Sequence, residues 1–452
     1  MKKKFLSVLA ALLLVAFSLS GCSEISIATI DEMILPPKAI GENADVFEEL
    51  SKNINGRYSL KTPVEGEYRS SFVYEDINSD NIFEVFAFYQ FNDESDKIHM
   101  ALIDYKNGKR NFVQDITFPG GDIKAVDFAD FNNDGVKEIV VCWYVNDVAE
   151  RQGLSVYSYK CKSPDKPLTQ ISDNLPASEF KVLDLNEDSR DELLVLNLNF
   201  SKTGNDARAN VYSFDDKEHF TKLYTTPLDG AVTEYTQVLV DNTNAQKTRV
   251  YVDGNKGENF MVTELIEWDK SSGTLSTPWL DSVSNSTTLT AKGTRINSRD
   301  IDNDGSVEVA FIKKQALQKG TSNSDSDLTT IVDWCKIENF TPVQVVTSLV
   351  NMSGGYMVNI NKAWADKVVT SYDSVKREWK VLEWDFSLNS PANEIFTILA
   401  VERSQWEQEK MDGYKEIATK ADLIYVARIN DQKGLTTTNI NYDDLKANFI
   451  FV

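Results

Sequence analysis

The sequence predicts an all-β chain, a seven-bladed β-propeller with a short N-terminal helix, with six and eight as the alternative blade counts. Two periodic features carry this expectation. A short acidic loop occurs four times, at Asp76–Glu84, Asp130–Glu138, Asp184–Glu192 and Asp300–Glu308, each between two apolar runs. An apolar segment ending in an aromatic occurs six times, at residues 102–105, 156–159, 211–214, 265–268, 331–334 and 381–384. The closing residues Tyr105, Tyr159, Phe214, Trp268, Trp334 and Trp384 are 54, 55, 54, 66 and 50 residues apart. Apolar and polar side chains partly alternate in these segments, the period of a strand with one buried face. A polar turn and a further strand follow. The unit is therefore strand, acidic loop, strand, connection, strand, turn, strand, and four antiparallel strands repeated in tandem describe a propeller blade.

From the N-terminus, Lys2, Lys3 and Lys4 precede an apolar run of 13 residues, Phe5 to Phe17. A bilayer span needs roughly 20 such residues, so residues 1–21 read as a signal peptide. Leu19-Ser20-Gly21-Cys22 resembles a bacterial lipobox, which implies a lipid on Cys22 and a chain tethered to the outer face of the cell membrane. Residues 22–54 form the tether and a helix. Pro36 and Pro37 break regular structure there, and Val46, Phe47, Leu50 and Ile54 recur at helical spacing within Asn43–Ile54. Residues 55–430 form the propeller, with units starting near 66, 120, 176, 228, 287 and 348. A seventh is assembled from Glu394–Val401 and Leu423–Ile429, with Arg57–Leu60 as its outer strand closing the ring and removing exposed sheet edges. Residues 431–452 are expected to pack on the propeller as a short helix, Tyr442–Phe449, and a last strand or tail.

The formal charge is −22, and −25 without the three signal-peptide lysines. Such a chain is repelled by nucleic acid and anionic headgroups and attracts cations and basic partners. After Cys22 come Cys142, Cys161 and Cys335, without metal-type spacing. They read as small buried hydrophobes, with a Cys142–Cys161 pairing as the alternative.

Each acidic loop carries oxygen-bearing side chains at positions one, three, five and nine. These are Asp76, Asn78, Asp80 and Glu84; Asp130, Asn132, Asp134 and Glu138; Asp184, Asn186, Asp188 and Glu192; and Asp300, Asp302, Asp304 and Glu308. Alternate side chains converge inside such a turn, and the position-seven carbonyl and position-nine carboxylate can complete a hard-oxygen shell. Six to eight oxygens suit Ca²⁺ better than Mg²⁺, and the lack of nitrogen and sulphur ligands argues against zinc and copper. Position six calls for a left-handed backbone, which favours Gly135 and Gly305, tolerates Asn81 and suits Ser189 least. The loops at 130–138 and 300–308 therefore rank first, 76–84 next and 184–192 last. Asp191 is a further acid in the third loop. Near Asp241 and Asn359 the pattern lapses, with Arg249 and Lys367 at position nine. Those hairpins are expected to hold no metal.

The four loops resemble the FG-GAP and VCBS repeats of integrin α-subunit propellers and bacterial surface proteins. The wider pattern is similar to lipoproteins with VCBS-type repeats from anaerobic Gram-positive bacteria. The resemblance implies a propeller with Ca²⁺ in the hairpin of a blade, ligated by the residues named above. Glu stands where that family has Asp at position nine, and three loops have Asn at position three.

No catalytic constellation emerges. His99 and His219 are the only histidines, and nucleophile-elbow, zinc-protease and phosphate-loop motifs are absent. Gly120-Gly121 and Gly354-Gly355 read as flexible blade entries, and Trp279, Trp364 and Trp406 as half-buried structural aromatics. The expected function is a non-enzymatic, monomeric binding protein for an extracellular protein or glycan, with Ca²⁺ as a structural cofactor. The rivals are a carbohydrate-active lyase or hydrolase using carboxylates in the propeller funnel, and an envelope assembly scaffold.

Overall fold

The computed structural model describes residues 43–145, 152–160, 166–201, 204–215, 217–258, 260–313, 329–388, 390–408, 410–430 and 440–452. Cys22, Cys161 and the expected signal peptide lie outside them. The chain is all-β, with three short helices at Ala44–Asn53, Arg403–Gln408 and Tyr442–Ala447. It divides into two compact units, residues 1–127, 141–147 and 158–169 in one and residues 128–140, 148–157 and 170–452 in the other.

In the first unit, sheet 1 places Lys109–Pro119 beside Lys97–Lys106, then Glu84–Phe91, against which both Phe72–Glu75 and Tyr58–Leu60 pair. Asn107 and Gly108, both at positive φ (55° and 78°), make the two-residue turn that an Asn-Gly pair favours between antiparallel strands. The helix Ala44–Asn53 buries Val46 and Leu50 against Phe72, Val85, Ala87, Tyr89, Ala101 and Ile103 of this sheet. Glu49 Oε1 also accepts the Phe112 N–H (3.1 Å), tying the helix to the outer strand. Gly120 is set by close approach rather than by flexibility: a Cβ there would lie 2.3 Å from the Tyr144 carbonyl oxygen.

The strands of sheet 2 are Asp122–Ala129, Glu138–Tyr144, Gln152–Tyr159 and Leu175–Ala177 in that order, with Leu168–Gln170 added beside Gln152–Tyr159. Sheet 3 runs Glu179–Leu183, Glu192–Asn197, Arg208–Phe214, Phe220–Pro227, and sheet 4 runs Glu234–Asp241, Lys247–Lys256, Phe260–Asp269, Thr274–Ser276. Sheet 5 runs Val309–Lys313, Thr330–Glu338, Thr341–Asn351, Tyr356–Ile360, and ends on Phe449–Phe451. Sheet 6 runs Val368–Asp373, Glu378–Asp385, Ser390–Glu402, Leu423–Ile429, Lys415–Lys420. Consecutive neighbours therefore pair antiparallel, as short connections favour.

Within the second unit, successive sheets share cores. Leu194, Leu196 and Val211 of sheet 3 pack with Val250, Val252, Val262 and Ile266 of sheet 4. Tyr251 and Leu265 of sheet 4 meet Val309 and Ile337 of sheet 5 around Trp279. Leu349 and Tyr356 of sheet 5 meet Trp379, Val381 and Phe396 of sheet 6, together with Trp364. Trp279, Trp364 and Trp406 are buried more completely than the half-buried placement expected of them.

Three expectations of the closing region are corrected. The strands assigned to a seventh unit belong to sheet 6, because Ser390–Glu402 is long enough to pair with Glu378–Asp385 on one edge and Leu423–Ile429 on the other. Among the described residues there are six sheets of four or five strands and a two-stranded ribbon, Leu280–Asp281 with Ser286–Thr287. Tyr58–Leu60 pairs with Tyr89–Phe91 in sheet 1, in line with its near neighbours in sequence, rather than supplying a strand to a last blade. The segment that should open the sixth unit, Tyr356–Ile360, pairs with Thr347–Asn351 and stays in sheet 5.

Leu50 has no exposed surface and sits within the apolar cluster between the helix and sheet 1. Leu50→Ala is expected to destabilise the protein by about 2–5 kcal/mol in urea unfolding. A change near zero would show that the helix contributes nothing to sheet 1.

Candidate metal centre

The four acidic loops adopt one conformation. The position-one aspartate accepts two backbone bonds: Asp76 Oδ1 and Oδ2 take the N–H of Asp80 (3.1 Å) and Asn81 (2.9 Å). Asp130 does the same with Asp134 and Gly135 (3.1 and 2.8 Å), Asp184 with Asp188 and Ser189 (3.1 and 2.9 Å), and Asp300 with Asp304 and Gly305 (3.0 and 2.9 Å). The position-five aspartate accepts the position-seven N–H at 2.8–2.9 Å in every loop. Position six lies at positive φ throughout, at Asn81, Gly135, Ser189 and Gly305. Position four does too, at Ser79, Asn133, Glu187 and Asn303. The residue types at position four share no common signal, so that second left-handed step was not readable from the sequence.

Position nine is where the loops meet the sheets. Glu84, Glu138, Glu192 and Glu308 are buried, at 1%, 3%, 5% and 0% exposure. One carboxylate oxygen of each accepts the position-two N–H, from Ile77 (3.2 Å), Phe131 (3.2 Å), Leu185 (2.8 Å) and Ile301 (3.0 Å). Burial pushes these carboxyls up, to about 7, about 8, about 8 and about 6, against the lowering effect of the backbone bond. Neighbouring loop aspartates push in the same direction. A cation among the loop carboxylates would relieve both effects, which is the physical fit of this donor set to a hard ion.

The loops differ at position three. Asn78, Asn132 and Asn186 accept the position-five N–H and turn the amide Nδ2 toward a carboxylate: Glu84 (3.1 Å), Asp134 (3.1 Å) and Glu192 (3.3 Å). Asp302 has no such donor. Asp300, Asp302 and Asp304 each present a carboxylate oxygen within 4.8 Å of the others, the one such trio among the described residues. A cation from sheet 5 also reaches this loop, since Lys336 Nζ lies 2.5 Å from Asp304 Oδ2 and holds that carboxyl below its usual range. Asp191, the extra acid of the third loop, instead donates its N–H to the Asp130 carbonyl (3.4 Å) and is pushed up by burial.

The two lapsed loops satisfy themselves differently. Asp241 Oδ1 accepts the N–H and hydroxyl of Thr243 (2.9 and 2.6 Å), while Arg249 is turned to Glu267 (3.3 Å). Asn361 caps the single turn Lys362–Trp364 by accepting the Ala363 N–H.

Beside the 300–308 loop lies an open groove of about 760 Å³, lined by Asp302, Asn303, Gln344, Thr347, Asn359, Asn361, Lys362 and Asn448 with Val345, Ile360 and Ile450. Amides dominate its polar lining.

Outside these sites, His99 sits between two carboxylates, with Nδ1 2.8 Å from Asp115 and Nε2 3.4 Å from Glu94, stacked on Tyr89. Burial opposes its charge, but Asp115 and Glu94 outweigh burial and raise its pKa. His219 is exposed beside Asp215. The buried pair Asp229 and Glu264, at 0% and 2% exposure, is linked by the Asp229 N–H to Glu264 Oε1 (2.7 Å). Burial of that degree gives a substrate no access to either carboxyl.

Against this geometry the comparisons with known proteins are specific in one place. The family described as FG-GAP-like repeat matches residues 76–141. That span begins at the first acidic loop and ends just past the second. No curated protein sequence matches the chain. Among solved structures, a protein from Lactobacillus plantarum is similar at 9% identity and a TM-score of 0.33, over 73% of this chain and 84% of that one. A GH43 enzyme from Xanthomonas citri is similar at 11% identity and a TM-score of 0.24, over 46% and 73%. A GH43 protein from Bacillus licheniformis is similar at 9% and 0.24, over 82% and 78%.

Two pH effects follow, and both lower stability as pH rises. In metal-free protein the Glu138 carboxyl destabilises the fold progressively as pH rises from about 4.5 to about 8, because the unfolded chain ionises first. Glu138→Gln should flatten that part of the stability profile in chelator, and an unchanged profile would refute the assignment. His99 stabilises the fold below its ordinary pKa of 6.5, and that contribution is lost as pH rises through its higher folded value. His99→Gln should therefore cost more stability at pH about 5.5 than at pH about 8.5, by urea unfolding at the two values.

Proposed function

We propose that this protein is a calcium-stabilised, non-enzymatic binding propeller whose blades are the six sheets, tethered outside the cell through lipid on Cys22. The observation that supports it best is the repeated burial of the position-nine glutamate beneath three further oxygen-bearing side chains. Burial and the aspartates of the same loop raise the cost of ionising the glutamate, and a divalent ion with a hard-oxygen preference offsets it. Calcium would occupy the loops at 76–84, 130–138, 184–192 and 300–308, one to a hairpin, and would stiffen the turns that join blade strands. The FG-GAP-like match over the first two loops supports the same reading.

The ligand is an extracellular protein or glycan. Its strongest candidate seat is the amide-lined groove beside the 300–308 loop, because neutral amide donors and acceptors suit uncharged polar ligands such as sugar hydroxyls. A net charge of −22 disfavours nucleic acid and anionic lipid as partners. The chain is taken to act as a monomer.

Thermal unfolding of the purified protein with calcium and with chelator tests the metal. An ion that binds only the folded state adds about 2.7 kcal/mol per site at 100 times its dissociation constant. Calcium should therefore raise the Tm, and identical curves in calcium and chelator would sink the proposal. A glycan array and a cell-surface protein screen, each with wild type and Asn361→Ala, test the groove. A ligand whose binding ignores that substitution would place the binding surface elsewhere.

A further inference from the structure

The 300–308 loop differs from the other three in carrying a carboxylate, Asp302, at position three, where they carry an asparagine. It also differs in what reaches it from the neighbouring strand. One step beyond the Val309–Cys335 pair of sheet 5, Lys336 extends its ammonium to Asp304 Oδ2 (2.5 Å) and to within 3.5 Å of Glu308 Oε1. Glu308 Oε1 is buried and accepts no hydrogen bond. The equivalent step in sheet 1, beyond Val85–Ile103, brings Asp104, itself paired with Lys106. In sheet 3, beyond Leu193–Tyr212, it brings the neutral Ser213. The third loop has a lysine contact of its own, Lys270 with Glu187 (2.5 Å), but at position four. An acid at position three together with a cross-strand lysine beside position nine therefore occurs in the 300–308 loop and in neither of these two.

We propose that Lys336 is the resident cation of the 300–308 loop: its ammonium compensates the charge that Asp302 adds, so this loop closes without a divalent ion and binds one more weakly than its carboxylate count suggests. The asparagine loops answer the same need differently, by pointing an amide Nδ2 at a carboxylate. An ammonium supplies a full charge from a point donor. It occupies the side of Asp304 and Glu308 from which a metal would draw ligands, so a divalent ion must displace it before using them. In the order of cation affinity this puts the loop below the one at 130–138, with which it ties when only the loop residues are compared.

The test uses the purified protein and the variants Lys336→Met, Asp302→Asn and the double substitution. In chelator, Lys336→Met should lower the folding equilibrium constant by roughly fivefold, the upper end for a partly exposed ion pair. Adding Asp302→Asn, which recreates the loop type of the other three, should recover most of that loss, whereas Asp302→Asn alone should recover nothing. Additive effects of the two substitutions would overturn the proposal. The second arm rests on the calcium reading above: Lys336→Met should gain a larger calcium-dependent rise in Tm than wild type, and where wild type does respond to calcium, an equal or smaller rise in the variant would also overturn the proposal. If neither protein responds to calcium while the chelator arm shows the coupling, the calcium reading fails and Lys336 stands as the loop's cation.

Discussion

Each acidic loop is closed by a bond between the position-two backbone N–H and a glutamate buried at position nine. That contact joins the loop to the strand that follows it, since Glu84, Glu138 and Glu192 are the first residues of their strands and Glu308 immediately precedes one. It also creates the electrostatic problem that organises the rest of the loop. A carboxylate taken out of water beside two aspartates is costly to ionise, and the protein meets that cost locally. Backbone N–H groups of positions two, five, six and seven all point inward at carboxylates, the concave arrangement that favours negative charge. Three loops add an asparagine amide and one adds a lysine.

This local balance depends on how firmly the sheets hold the loop ends. In the second unit, apolar side chains from sheets 3 and 4, 4 and 5, and 5 and 6 fill shared cores. Trp279 and Trp364 are packed within these cores. Leu194 and Val309 have no exposed surface and lie one or two residues from a position-nine glutamate. A carboxylate attached to so fixed a strand cannot swing out to solvent, and its charge must be compensated where it stands.

Much of the site was legible because its signals are local. Positions one, three and five come together in the 300–308 loop as alternate side chains of a tight turn should, and Gly135 and Gly305 fall where a left-handed backbone is required. Asn81 and Ser189 occupy the same conformation despite their Cβ atoms, because Asp76 and Asp184 hold their N–H groups. Other features depended on which strand pairs with which. Tyr58–Leu60 and the pair Ser390–Glu402 with Leu423–Ile429 were assigned to a closing blade by analogy with a ring, whereas their hydrogen bonds go to the nearest available edges in sheets 1 and 6. The sequence suggests a flexible entry at 120–121, yet at Gly120 the Tyr144 carbonyl lies too close for any side chain.

The ranking of the four loops shows where the division falls. Spacing, residue type and periodicity within about nine residues determine a hairpin turn rich in hard oxygen donors, and the recurrence of aromatics determines a repeated four-stranded sheet. Both are properties of contiguous chain and need no knowledge of partners. The charge actually felt inside each loop is set by the next strand, 28 residues downstream in the case of Glu308 and Lys336. Cross-strand register brings those two side chains together, and register is decided by how whole strands pair and bury their apolar faces. The sequence by itself therefore determined that this chain builds acidic, oxygen-rich hairpins on repeated sheets. Tertiary structure alone decided which of them already carries a cation of its own.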